Sequence, residues 1–428
     1  MKKIICLLLA LTLCLGFAAC GQTPSGTEAT QPTSAQTQPT VEQTQPTESK
    51  ELTAEEKILA ERRDAVEQHM RRNATLLWRP AEDIKYTCAG TGYVFRFVAG
   101  RLYQGMPYTY AGNSVESFLD YAGEPDEKGI YTISGLSAEA LAGSGSDARI
   151  GNDCSSAVQL AWGQISTTIK GARTATMMPQ NGYIPVGGYE YSSSKENEQR
   201  NTKEVILKNG RETIYQAYAQ LQKGDCLVYV TQSGHAIMAV SVNVVYDAEG
   251  KIDPRKSIIT YLDQTSTKSQ AGSESSYYDE ALGEKVYVIG NIDQKYTFKA
   301  LADKGFLPFT CKELIDPAPV AASAVNDSQT SFTKDTILTG TITSNRFIES
   351  VTIKITDSQG AAVQQATAYG GRSTYKSIDL QRFVTDAPEK MRGSIDLTAL
   401  AAGSYHCTLV CRLTTGEEFT VRDFDFGV

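Results

Sequence analysis

Gly151-Asn152-Asp153-Cys154-Ser155-Ser156-Ala157-Val158-Gln159-Leu160-Ala161-Trp162 is the stretch on which the reading of this chain turns. Asn152 or Asp153 can N-cap a helix, and Val158, Ala161, Trp162 and Ile165 then recur at the spacing of one amphipathic face. Cys154, four residues before Val158, falls on the same stripe in the first turn. A thiol there points at the protein body, beside amides that lack intrahelical acceptors and at the positive end of the helix dipole. Helix N-termini and neighbouring imidazolium groups can lower a cysteine pKa from ~8.5 to roughly 3.5–7.5. The stretch alone is equally compatible with a small buried cysteine beside a cap. The residues that separate the two readings lie downstream.

A nucleophilic thiol needs a base that takes its proton and returns it to the leaving amine, and histidine suits both steps. The chain has 3 histidines. His69 stands among Gln68, Arg71 and Arg72 and reads as a surface residue, and His406 lies within a strand remote from the cysteine. His235 follows Gly234 at the mouth of an apolar strand running to Val240, where it can aim a ring at the helix N-terminus. A third group must then orient the imidazole. The next strand, Ser257 to Asp263, is joined by a hairpin loop from Asp247 to Arg255, and sequential strands usually pair. Alternation puts Asp263 on the face of Tyr261 and Gln264 on the other, so Asp263 is the first choice and Gln264 the alternative.

Around these residues the pattern is α+β: helices first, antiparallel strands after. Thr53 to about Asn73 is a charged helix opening on a capping box, Thr53-Ala54-Glu55-Glu56. Phe95 to Tyr121 passes through Pro107-Tyr108-Thr109-Tyr110-Ala111-Gly112 into a short helix near Ser114. Glu124 to Asn152 is rich in Gly, Ser and Asp and reads as loop. Arg211 to Gln222 is helical, and Lys223-Gly224-Asp225 turns into the strand Cys226 to Val230. From about Ala321 short strands rich in Thr, Ser, Val and Ile follow, with a turn at Asp357-Ser358-Gln359-Gly360. These predict a β-sandwich similar to immunoglobulin-like accessory modules, linked through Asp316-Pro317-Ala318-Pro319.

Four elements in order, Pro107-Tyr108-x-Tyr110-x-Gly112, Asp153-Cys154-Ser155-Ser156, Leu221-x-x-Gly224-Asp225 and Gly234-His235 before a strand, resemble the NlpC-type cell-wall cysteine peptidases. The likeness spans about Ala99 to Thr265. It implies a papain-like domain, a nucleophile helix packed on an antiparallel sheet, with Cys154 as nucleophile, His235 as base and Asp263 in the third polar position. Tyr108 matches the family's tyrosine near the nucleophile. Asp153 matches the carboxylate that in some members holds the free amine of a stem peptide, and Ser155 lies beside it on the substrate side. Asp263 stands where the family commonly has histidine, and the insertion from 113 to 152 exceeds the family norm. The implied activity is hydrolysis of amide bonds in peptidoglycan stem peptides through a thioester, with no metal and no cofactor. Alternatives of another kind are a catalytically silent binding or scaffold protein and an amidase acting on a different amide.

The start of the chain predicts where it works. Lys2 and Lys3 precede an apolar run from Ile4 to Leu15, then Phe17-Ala18-Ala19-Cys20, a secretory signal resembling that of bacterial lipoproteins, with Cys20 as the lipid site. The run is too short to span a bilayer. Gln22 to Lys50, nearly free of apolar residues, reads as a disordered tether to the membrane. Formal net charge is −8, and losing the two lysines takes it to −10. That balance argues against nucleic acid as a partner. Of the 9 cysteines, Cys88, Cys154, Cys226, Cys311, Cys407 and Cys411 remain after Cys6, Cys14 and Cys20, in spacings unlike a disulfide framework or a zinc ribbon. The expected organisation is signal 1–19, lipid-bearing tether 20–50, helical segment 51–90, catalytic domain 91–315 and β-sandwich 316–428.

Overall fold

Ten residues of continuous burial, Cys154–Gly163, form the helix at the centre of the molecule. The computed structural model describes residues 51–89, 91–142, 150–170, 173–192, 201–372, 375–385 and 391–428. The signal, Cys20 and the tether lie outside the described residues. Asp153 caps the helix, accepting from the Ser156 amide while the Ser156 hydroxyl receives the Asp153 amide. The amphipathic stripe expected from the sequence understates its burial: Ser155, Ser156 and Gln159, off the stripe, are buried too. The cause is that other parts of the chain cover the faces the stripe leaves.

One cover is a six-stranded antiparallel sheet in the order Gly290–Thr297, Ile258–Gln264, Gly234–Asn243, Cys226–Val230, Leu307–Thr310, Ile184–Pro185. Val158, Ala161 and Trp162 share an apolar cluster with its Leu227, Ile237, Met238 and Leu262. The turn before Cys226 ties these layers together. Gly224 takes φ +86°, and its carbonyl accepts from Trp162 Nε1 at 2.8 Å. The buried Asp225 carboxylate pairs with Arg63 at 3.0 Å.

Arg63 belongs to the helix Ala54–Thr75, whose capping box forms as the sequence predicts. Val66 and Met70 of this helix enter the main apolar cluster. Residues 51–90 pack into the body that follows and carry strands as well as the helix. Their strand Leu77–Pro80 lies inside a second, mixed sheet ordered Ser275–Asp279, Glu284–Val288, Leu102–Gln104, Leu77–Pro80, Tyr131–Ile133. An aromatic core backs that sheet: Trp78 meets Phe97, Tyr103 and Phe118 at centroid distances of 5.0, 5.2 and 4.9 Å. The stretch from Glu124, expected as loop, supplies the strand Tyr131–Ile133 and the short helix Ala138–Ala142. Its polar composition hid them because strand and helix are only 3 and 5 residues long.

His69 also departs from expectation. It is part-buried, its Nε2 has no hydrogen-bond partner among the described residues, and burial pulls its pKa down to about 4 despite the nearby Glu116 carboxylate. The helix bearing it packs beside the segment Val115–Leu119, where Arg72 pairs with Glu116.

The C-terminal region is all β apart from short helical turns. A sheet ordered Val325–Asp327, Thr341–Ser344, Ser377–Asp379 and one ordered Arg392–Ser394, Ala362–Tyr369, Ile348–Asp357, Ser404–Leu413, Glu418–Gly427 enclose an apolar cluster that includes Ile342, Val351, Ile353, Leu409 and both Cys407 and Cys411. The turn at Asp357 to Gly360 forms, with Gly360 at φ +81°. The six described cysteines are free and buried. No described helix is long and apolar enough to cross a membrane.

This region is seated firmly on the rest. Phe347 and Tyr375 stack at 4.4 Å and join the main cluster, Gln164 Nε2 donates to Thr414 O at 3.0 Å, and Arg412 pairs with Asp120 at 2.8 Å. The buried Glu349 carboxylate accepts from the amide and hydroxyl of Ser117, and burial raises its pKa. Gly163 marks how close the seating is: a Cβ there would lie 2.7 Å from Phe347 Cδ2. In an unpacked helix Gly→Ala adds up to about 1 kcal/mol of stability. Here Gly163→Ala is expected to cost roughly 1–3 kcal/mol by overpacking, read as a lower denaturation midpoint; a stabilised variant would contradict the seating.

Candidate active site

The approach to Cys154 is built from backbone. Gly151 holds φ +102°, and a Cβ on it would fall 2.6 Å from Pro107 O and 2.7 Å from Thr109 Oγ1. Asn152 pairs with this segment in both directions, Asn152 N to Pro107 O at 3.2 Å and Thr109 N to Asn152 O at 3.0 Å. Gly112 and Asn113 then both donate to Gly151 O, at 3.1 and 3.0 Å. The Pro-Tyr-x-Tyr-x-Gly run is thus the strap that delivers the chain to the helix start. It also sets Tyr108 and Tyr110 beside that start, their rings 6.3 Å apart.

His235 comes from the sheet. Its strand pairs with Ile258–Gln264 so that Met238 faces Leu262, which puts Ile237 opposite Asp263 and leaves His235 and Asp263 diagonal on one face. Nε2 of His235 lies 2.7 Å from Asp263 Oδ2. Nδ1 is the ring nitrogen left for the thiol, with which the imidazole interacts. The ring is flanked by Tyr229 and Phe306 at 6.2 and 6.4 Å, which restrict its swing. Burial pulls the His235 pKa down, but the negative charge of an ionised Cys154 and the hydrogen bonds to Asp263 and Cys154 outweigh it, and the imidazole titrates well above its ordinary range. Cys154, His235 and Asp263 are thereby brought into one line.

Gln264, the alternative third residue, is excluded from that line by alternation. Its Nε2 donates to Met106 O at 2.7 Å and reaches Asn152 O at 3.5 Å. It braces the strap on which Cys154 depends, a role that polarity alone could not reveal.

Comparison with protein-family models, with curated proteins and with solved structures yields no match.

The three residues assigned to substrate fare differently. Tyr108 lines a cleft of about 730 Å³ together with Tyr110, His235 and Asp263. Cys154 itself is 4 % exposed. Asp153 does not face the cleft as a free carboxylate. It is 4 % exposed, its Oδ1 accepts from the Ser156 amide and from the hydroxyls of Ser155 and Ser156, and Arg372 pairs with its Oδ2. Burial would raise its pKa, yet Arg372 and Ser156 together hold it below the usual carboxylate value. Ser155, 1 % exposed, is likewise consumed within the cap. The sequence missed Arg372 because it arrives from a region more than 200 residues downstream, with no spacing signal to announce it. Other cleft residues it missed are Tyr261 and Tyr296, stacked at 4.8 Å, and Lys304, whose ammonium sits 5.4 Å from the Tyr296 ring.

Two variants test this geometry. Asp263→Asn removes the charge that favours the imidazolium, so the His235 pKa falls. The alkaline limb of an activity profile, set by loss of the imidazolium proton, then moves to lower pH, while the unaltered protein keeps it above the ordinary histidine range. An unmoved limb would contradict the hydrogen bond. Gln264→Ala leaves the buried Met106 carbonyl short of its donor, while Asn152 O keeps Thr109 N, and is expected to lower unfolding free energy by roughly 1–3 kcal/mol in chemical denaturation, without moving that limb.

Proposed function

We propose that the protein is a cysteine peptidase that cuts amide bonds in peptidoglycan stem peptides outside the cytoplasm, held at the membrane by a lipid on Cys20. In this reading the helix Cys154–Gly163 and its antiparallel sheet form a papain-like catalytic part of the NlpC type, and the C-terminal sheets form an immunoglobulin-like sandwich. The observation that carries it is the line of Cys154 at a helix N-terminus, the His235 imidazole beside it and Asp263 at 2.7 Å behind.

The chemistry uses these side chains alone. The Cys154 sulfur, ionised by proton transfer to His235, attacks the amide carbonyl and forms a C–S bond. Negative charge gathers on the carbonyl oxygen, and the amide of Cys154, the first helical residue with no intrahelical acceptor, is available to it. His235 returns the proton to the departing amine as the C–N bond breaks. A water, deprotonated by His235, then attacks the thioester, releasing the acid and restoring the thiol. Asp263 keeps the ring oriented and stabilises the imidazolium at each stage. The sequence likeness and the tether support the substrate and the location.

Purified peptidoglycan incubated with the protein should release peptide fragments whose masses increase by one water per bond cut. Cys154→Ala should slow that release by roughly three orders of magnitude or more, with an unchanged denaturation curve. No release by the unaltered protein, or equal release by the variant, would refute the proposal.

A further inference from the structure

The segment Gly370–Arg372 belongs to the C-terminal region by sequence but is built into the start of the Cys154 helix. Arg372 N donates to Ala111 O at 3.0 Å, the Asn113 side chain donates to Gly370 O, and a Cβ on Gly371 would lie 2.6 Å from Ala111 O. So anchored, the Arg372 guanidinium pairs with Asp153, donates to Ser155 Oγ at 3.3 Å and lies 5.5 Å from the centre of the Tyr110 ring. Its side chain is 17 % exposed, and Nε has no partner among the described residues.

The helix-capping bonds themselves do not use this cation, because Ser155 and Ser156 go to Asp153 Oδ1; Arg372 adds a partner for Oδ2 and a positive charge. The need arises one residue later. A buried carboxylate directly before Cys154 opposes a second negative charge on the thiol, whereas a carboxylate closed by a guanidinium opposes it far less. The ionisable groups around the thiol and its cap are His235 and Asp263 from the sheet, Asp153 from the cap, Arg372 and Tyr375 from the C-terminal region, Tyr108 and Tyr110 from the strap, and Cys88, whose thiol, like the Tyr375 phenol, is pushed up by burial. Burial pushes Tyr108 well up and Tyr110 up to about 12, so both phenols are neutral near pH 7. The charge balance therefore rests on the His235–Asp263 pair and the Arg372–Asp153 pair.

We propose that Arg372 is a positioning residue of the catalytic centre, which neutralises Asp153 so that Cys154 ionises beside it and which makes the C-terminal region part of the active site. The proposal rests on the reading of Cys154 as nucleophile.

The test is the pH dependence of iodoacetamide alkylation at Cys154 in the full chain, followed by mass analysis of the Cys154 peptide, which needs no peptidase substrate. Arg372→Gln should move the half-maximal point upward by roughly one unit or more. Arg372→Lys, which keeps the charge, should stay near the parent. Asp153→Asn keeps a competent cap but leaves the guanidinium without its anion, and should move the point downward. Opposite shifts in Arg372→Gln and Asp153→Asn support the proposal. A purely structural role would lower denaturation midpoints and leave the profiles superimposed, which would overturn it. Should Arg372→Gln fail to fold, Asp153→Asn alone decides, a parent-like profile being the refuting result. His235→Gln separates the two levels: if it leaves the profile unmoved, the nucleophile reading fails, and if it moves the profile while the Arg372 and Asp153 variants do not, only the role of Arg372 fails.

Discussion

The backbone of Gly151 and Asn152 is the constraint on which the rest depends. Two separate pieces of chain hold these two residues: the strap, through Pro107 and Thr109 by paired backbone bonds, Gly112 and Asn113 by donating to one carbonyl and Asn113 O by accepting from the Asn152 side chain, and the sheet, through Gln264. None of these contacts touches the thiol. Their combined effect is to fix where the first turn of the helix begins, and hence where a sulfur on that turn must lie. Positional precision of a few tenths of an ångström in a reactive group requires this kind of over-determination by residues that do no chemistry.

That hierarchy explains what could be read from the sequence. The cysteine helix, the histidine strand and the strand after it were legible because each is a run of regular periodicity, and strand alternation alone chose Asp263 over Gln264 to face the imidazole. Short elements without periodicity were not legible. Leu77–Pro80, Leu102–Gln104 and Tyr131–Ile133 are 3 or 4 residues each and acquire their form from one another across a mixed sheet. The expected availability of Asp153 failed for a related reason. Sequence adjacency to Cys154 could be seen, but occupancy of the carboxylate by an arginine distant in the chain depends on tertiary packing alone.

The seating of the C-terminal region follows the same physics on a larger scale. Glycines at 112, 163 and 371 permit backbone or ring approaches that a methyl group would block. Glu349 and Arg412 contribute polar contacts where Ser117 and Asp120 meet them. Close apolar contact around Phe347 supplies the attraction and the polar pairs fix the register. The cleft wall and the β region are in this way mechanically continuous.

The free cysteines carry a further consequence. Cys88, Cys226, Cys311, Cys407 and Cys411 are enclosed, and burial raises the pKa of every one of them, Cys407 and Cys411 to about 12. A thiol held protonated out of solvent is a poor partner for oxidants and for thiol–disulfide exchange. In any oxidising compartment the folded state would thus shield these five thiols, whereas an unfolded chain would expose them, with Cys154, to cross-linking in wrong pairs. Unfolding in such a compartment would be a one-way loss, with the lifetime of the folded molecule governed by the rate at which it opens rather than by its equilibrium stability.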